Sequence, residues 1–109
     1  MLNPQYQSCI QACSSCALTC ETCAASCLRE DDVKMMARCI QLDRYCADLC
    51  AVAALLMTRD SPYAQLACRL CAQACRDCAE ECAKHAHAHC QDCAQACRRC
   101  AEECERMAA

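Results

Sequence analysis

From Cys9 to Cys27, six cysteines recur at intervals of 4, 3, 4, 3 and 4 residues. An α-helix turns once every ~3.6 residues, so alternating threes and fours hold all six on one narrow stripe of a single helix. The rhythm returns at Cys68, Cys71, Cys75, Cys78 and Cys82, and again at Cys90, Cys93, Cys97, Cys100 and Cys104. Residues 68–82 read CRLCAQACRDCAEEC and residues 90–104 read CQDCAQACRRCAEEC, an internal repeat. Between these blocks Cys39, Cys46 and Cys50 keep the same phase more sparsely. Asp43 stands on their stripe, Met35 and Met36 begin it, and Ala53 and Met57 extend it.

Capping chemistry divides the stripes into four helices. Asn3-Pro4 is an N-cap followed by Pro at the first helical position. Arg29-Glu30-Asp31-Asp32 interrupts the pattern, and either Asp can cap the second helix. Arg59-Asp60-Ser61-Pro62 closes the second helix and opens the third, with Ser61 as cap and Pro62 after it. Lys84 to Ala88 offers neither Gly nor a good cap, and there phase decides. A continuous helix would carry the stripe to His85 and His89, whereas the cysteines resume at Cys90. The expected helices are therefore about 4–28, 33–58, 62–84 and 88–107, in one domain spanning 1–109. With no Gly, Trp or Phe and only two Pro, the chain lacks the turn and strand residues of a β or α/β fold. Short connections between long helices make this all-α chain an antiparallel up-down four-helix bundle.

The stripes face inward. Opposite them lie Gln73, Asp77, Glu80 and Lys84 in the third helix, and Asp92 and Arg99 in the fourth. The continuous apolar face is cysteine flanked by alanine, so burying it produces a cysteine-lined core. Leu18, Leu49, Val52, Leu55 and Leu56 fall off the stripes, either packing against another chain or lying along the side of this one. Filling a core with cysteine sacrifices the area that Leu or Ile would bury, so packing alone does not account for nineteen of them.

Thiols this dense point to disulfides or to metal. The N-terminus has neither the basic nor the apolar region of a signal peptide, so the thiols are expected to sit in a reducing cytoplasm. An odd cysteine count also leaves one unpaired in any intramolecular disulfide scheme. No apolar run is long enough to cross a membrane. A net charge of −3 without a basic block argues against nucleic acid as a partner. Thiolates select Cu(I), zinc and iron–sulfur clusters. Each Zn(Cys)4 unit carries −2, and several in a narrow core would bury a prohibitive charge. Cluster motifs sit on irregular backbone, unlike these mid-helix pairs. A Cu(I) ion replacing a thiol proton leaves the core neutral, which predicts about one copper per cysteine. Many similar sites in a row form a store, a binding function and not an enzyme. The competing reading is a general soft-metal sink for zinc or cadmium.

The pattern from Cys9 to Cys27, the run Leu42-Asp43-Arg44-x-Cys46-Ala47-Asp48-x-Cys50, and the link Cys82-x2-His-x-His-x-His-Cys90 resemble the bacterial copper storage proteins, in particular their cytosolic subgroup. The resemblance covers essentially the whole chain. It implies a four-helix bundle filled with Cu(I) and assembled as a homotetramer. No donor or acceptor protein for the copper is identified by it.

Three further groups carry readings of their own. In an up-down bundle the first loop and the last link share one end, which gathers Met35, Met36, His85, His87 and His89 beside Cys27, Cys82 and Cys90. That end is either a solvated loop or a mouth that hands copper inward, with His85 and His89 nearer the stripes than His87. Asp43, a carboxylate on a buried stripe, must be hydrogen-bonded, paired (Arg44 is adjacent) or bound to metal. Met57 and Met107, at the other end, read as apolar plugs.

Overall fold

A computed structural model describes residues 2–108. The Asn3 side chain accepts from the Gln5 amide at 3.0 Å, and Pro4 opens a 3-10 turn over Pro4–Tyr6. Helix α1 (Gln7–Cys27) comes directly after it. A second 3-10 turn, Val33–Met36, precedes α2 (Ala37–Thr58), so the α-helical part starts four residues later than the cap residues imply. The cause is local. Asp32 makes no side-chain cap bond, and its carboxylate instead lies 3.2 Å from His87 Nε2.

Helix α2 ends in a Schellman motif, a C-terminal turn in which two backbone amides reach back to the last carbonyls. Ser61 N–H donates to the Leu56 carbonyl and Asp60 N–H to that of Met57, both at 3.0 Å. The left-handed residue such a turn needs is Asp60, at φ 53°, in a chain without glycine. Asn3 Nδ2 donates to Asp60 Oδ1 at 3.2 Å and ties the first cap to this turn. Ser61 Oγ accepts from Tyr63 N–H at 3.0 Å, closing a tight turn through Pro62, so α3 begins at Ala64 and not at 62. Helix α3 (Ala64–Cys82) and α4 (Ala88–Ala108) are joined by the histidine-bearing link. Gln91 fastens that link. Its amide donates to the carbonyls of Ala83 and His85, at 3.2 and 2.7 Å.

Each helix packs on its neighbours in chain order, and α4 closes the ring against α1. Cys9 near the start of α1 meets Cys104 near the end of α4, while Cys27 meets Cys90, as antiparallel neighbours must. The bundle measures 46 × 21 × 18 Å. Its core is cysteine and alanine with Met36 and Met57. Leu18, Val52 and Leu55 are exposed and Leu49 and Leu56 lie outside the thiol core. Among the described residues no helix is long and apolar enough to cross a membrane.

Candidate metal centre

All nineteen cysteines are buried and none is disulfide-bonded. Along each helix the i, i+4 pairs stack at a nearly constant separation. Cys46–Cys50 and Cys78–Cys82 lie 3.8 Å apart, Cys16–Cys20, Cys23–Cys27 and Cys71–Cys75 3.9 Å, and Cys9–Cys13 and Cys93–Cys97 4.0 Å. Contacts between helices are as short or shorter: Cys39–Cys82 at 3.4 Å, Cys13–Cys104, Cys46–Cys75 and Cys50–Cys71 at 3.5 Å, Cys20–Cys97 at 3.6 Å. These separations fall a little below twice a metal–thiolate bond of ~2.3 Å, so a small soft ion fits between neighbouring sulfurs after slight widening. A helix of 21 residues, such as α1, is about 30 Å long, and thiols occur along nearly all of it.

The sulfurs form one column and not separate cages. Four-sulfur groups with all ligand atoms within 4.8 Å include Cys16, Cys46, Cys50, Cys75; Cys16, Cys20, Cys46, Cys97; and Cys20, Cys78, Cys93, Cys97. The groups share members: Cys16, Cys20, Cys46 and Cys97 each serve twice. Discrete tetrahedral ions would compete for these ligands. Bridging thiolates, each shared by two ions, would not.

Charge selects the ion. Among the described residues no lysine or arginine is buried, and Asp43 and Glu81 are the buried acidic groups. Burial pushes the Cys27 thiol up to about 11, with Cys39 adding to the rise, and burial raises Cys90 as well. A thiol column without cations keeps its protons, and a monovalent ion that displaces one proton preserves neutrality.

Asp43 is buried in the part of the column nearer the histidines. Cys93, Cys78 and Cys82 donate to its Oδ1 at 3.1, 3.2 and 3.4 Å, and Cys39 approaches Oδ2 at 3.9 Å. Burial pushes its carboxyl up to about 10, with Cys93 and Cys78 beside it adding to the rise. The ion pair with Arg44 does not form. Arg44 points outward, because its place on α2 is off the stripe, and it meets Glu21 at 3.3 Å.

The three histidines are placed differently from one another. His89 Nδ1 lies 3.5 Å from Cys23 and from Cys90 and 3.9 Å from Cys27, and its Nε2 is 3.1 Å from Glu30. His87 stacks on His89 with ring centroids 5.4 Å apart and contacts Glu30 and Asp32. His85 Nε2 is held 2.8 Å from Glu81 Oε2. His89 alone touches thiols, while His85 is turned to an acid one helical turn before it. Met36 is fully buried at this end, and Met35 is exposed. Periodicity alone does not single out Glu30, Asp32 or Glu81 as partners of the imidazoles. Glu81 has a readable signal, its i, i+4 spacing to His85. Met57 is fully buried at the opposite end, with Met107 half-buried over the core.

A family model described as copper storage protein matches residues 2–109. An uncharacterized cysteine-rich protein of Bacillus subtilis, YhjQ, is 48% identical over 83 residues, 76% of this chain and 77% of that protein. Among solved structures, the Cu(I)-bound copper storage protein BsCsp3, from Bacillus, is 48% identical with a TM-score of 0.93, covering 96% of this chain and 99% of that one. A cytosolic copper storage protein from Streptomyces lividans, loaded with five coppers, is 38% identical with a TM-score of 0.88, covering 92% and 88%.

Proposed function

The chain belongs to the copper storage protein family, and we propose that it is a cytosolic, non-catalytic store that fills its core with about one Cu(I) per cysteine. One observation carries this reading: a continuous column of buried thiols, overlapping in their four-sulfur groups, with no buried cation among the described residues to balance thiolate charge. Each Cu(I) takes the place of one thiol proton and is held by two or three thiolates that bridge to the next ion. All nineteen cysteines act as ligands. Asp43 hydrogen-bonds thiols in the empty core and joins the ligands as they lose protons. Divalent zinc or cadmium in discrete four-sulfur groups would bury −2 at each, and the overlapping groups do not offer discrete sites, so the soft-metal sink is the weaker reading.

Ions enter at the histidine end. His89 spans from the thiols to Glu30, and His85 and His87 stand beside it to pass soft cations inward. Exposed Leu18, Val52 and Leu55 support burial of the outer faces in a homotetramer, in line with the family resemblance.

The decisive experiment is an anaerobic Cu(I) titration of the reduced protein, read by copper-to-protein ratio and far-ultraviolet circular dichroism. Saturation near 19 ions per chain, matching the thiol count, with a helical signal already full before copper, is expected. Saturation at about a quarter of the thiol count would indicate tetrahedral sites and end the storage reading. A large gain of helix on loading would mean that copper folds the chain, as zinc folds small metal domains.

A further inference from the structure

Eighteen of the nineteen cysteines hydrogen-bond through sulfur to another thiol. Cys68 stands apart. Among the described residues its one hydrogen bond runs to the Met57 thioether, Sγ to Sδ at 3.6 Å. Both side chains are fully buried, and they lie at the end of the column remote from the histidines. The separation falls within the range that the thiol pairs show, so the thioether occupies the place in the column where a further cysteine would be expected.

We infer that Met57 Sδ and Cys68 Sγ form the terminal copper site of the column, with a thiolate and a thioether as ligands. The inference rests on the reading of the column as a Cu(I) store. On binding, the Cys68 S–H bond breaks, its proton passes to solvent, and Cu(I) joins the thiolate sulfur. Thioether sulfur contributes a lone pair and no charge, so the site stays neutral. A second thiolate on this same ion, at the end of the column where there is no further copper to bridge to, would leave the site at −1. A thioether supplies the missing coordination without that charge. A plug alone would need only apolar volume, which leucine supplies, and leucine is frequent elsewhere on α2.

The test uses the full chain labelled with selenomethionine, loaded with Cu(I) to saturation without oxygen, and read by selenium-edge X-ray absorption. Copper should appear in the first shell of selenium in the unsubstituted chain and in Met36→Leu, and should disappear in Met57→Leu. The substitution conserves volume, and circular dichroism checks that the bundle is intact. One copper per Met57→Leu chain should also become the first removed by a Cu(I) chelator. A selenium spectrum with no copper neighbour, or one equally strong in Met57→Leu, overturns the inference. Copper capacity measured on the same samples separates this from failure of the storage reading: capacity near one per thiol with no selenium–copper contact rejects only the terminal site.

Discussion

The two halves of the thiol column differ in what accompanies the sulfur. Toward the histidine link, Asp43 gathers four thiols, His89 touches three more, and Glu30, Asp32 and Glu81 hold the imidazoles. Toward Met57 the buried column is sulfur and alanine alone. One half can trade protons and ions with water through half-buried rings. The other ends in a thioether that takes up no proton and is sealed behind a turn tied by Asn3 and Asp60. The column therefore has a direction. Under the proposed function, exchange belongs to the half with nitrogen and oxygen, and retention to the half with sulfur only.

The largest expected effect tests whether proton chemistry is confined to the first half. In the folded protein the Asp43 carboxyl titrates at about 10, against an ordinary value of 3.8, so folding takes up a proton. The unfolded chain binds fewer protons at this group above pH 4, and stability is therefore full below that pH and falls as pH rises toward 10. The loss approaches ~1.4 kcal/mol per pH unit. Asn at this position carries no titrating proton. Urea unfolding of the reduced, metal-free protein between about pH 5 and 8, below the thiol range, should show a falling stability from which Asp43→Asn removes that slope. Cys100→Ser, in the sulfur-only half, should lower stability without changing the slope. Equal slopes in the parent chain and Asp43→Asn would erase the distinction between the halves.

Loading kinetics come next. Replacing His85, His87 and His89 together with Ala should slow Cu(I) uptake on the order of tenfold, the scale on which outer groups tune metal sites. Final capacity should change little, because the thiols are untouched. Met57→Leu should load at the parental rate. Stopped-flow transfer from a Cu(I) chelator measures both. If the triple substitution leaves the rate unaltered, the histidines are only solvated and the column has no preferred end.

Much of this arrangement is legible in the chain. The 3- and 4-residue spacing requires cysteine stripes, and the one-residue phase slip between His89 and Cys90 locates a link that has neither glycine nor cap. Asp43 is readable as a buried carboxylate because its position on the stripe leaves no alternative. Its partners are not, because Arg44 sits one residue on, roughly 100° around the helix, and points away. His85 and His89 look equivalent by phase. They differ because Glu81, on the last turn of α3, captures His85, while Glu30 from the first loop turns His89 with Nδ1 toward sulfur. The Glu30–His89 contact joins segments far apart in sequence, and periodicity within one helix carries no record of it. The delayed start of α2 has the same origin, since Asp32 serves a histidine 55 residues away and not its own helix.

The smallest effects concern the two fastenings, one at each end. Asn3 accepts from the Gln5 amide and donates to Asp60, whereas Gln91 donates to the carbonyls of Ala83 and His85. Each makes two hydrogen bonds at the surface, so Asn3→Ala and Gln91→Ala should each destabilise the metal-free protein by ~1 kcal/mol, the usual scale for a lost cap or a net hydrogen bond. Thermodynamically the two ends should look alike. Kinetically they should not. Gln91 holds the backbone that carries His85 and leads into His87 and His89, so its loss lets the imidazoles wander from Cys23 and Cys90 and should slow copper uptake, by less than the triple histidine substitution does. Asn3 secures only the far turn beneath Met57, and Asn3→Ala should load at the parental rate despite its equal cost in stability. Matched urea unfolding and stopped-flow loading on the same two variants decide the point. Equal slowing in both would mean that uptake tracks overall stability, and the difference between the ends would then have no bearing on copper movement.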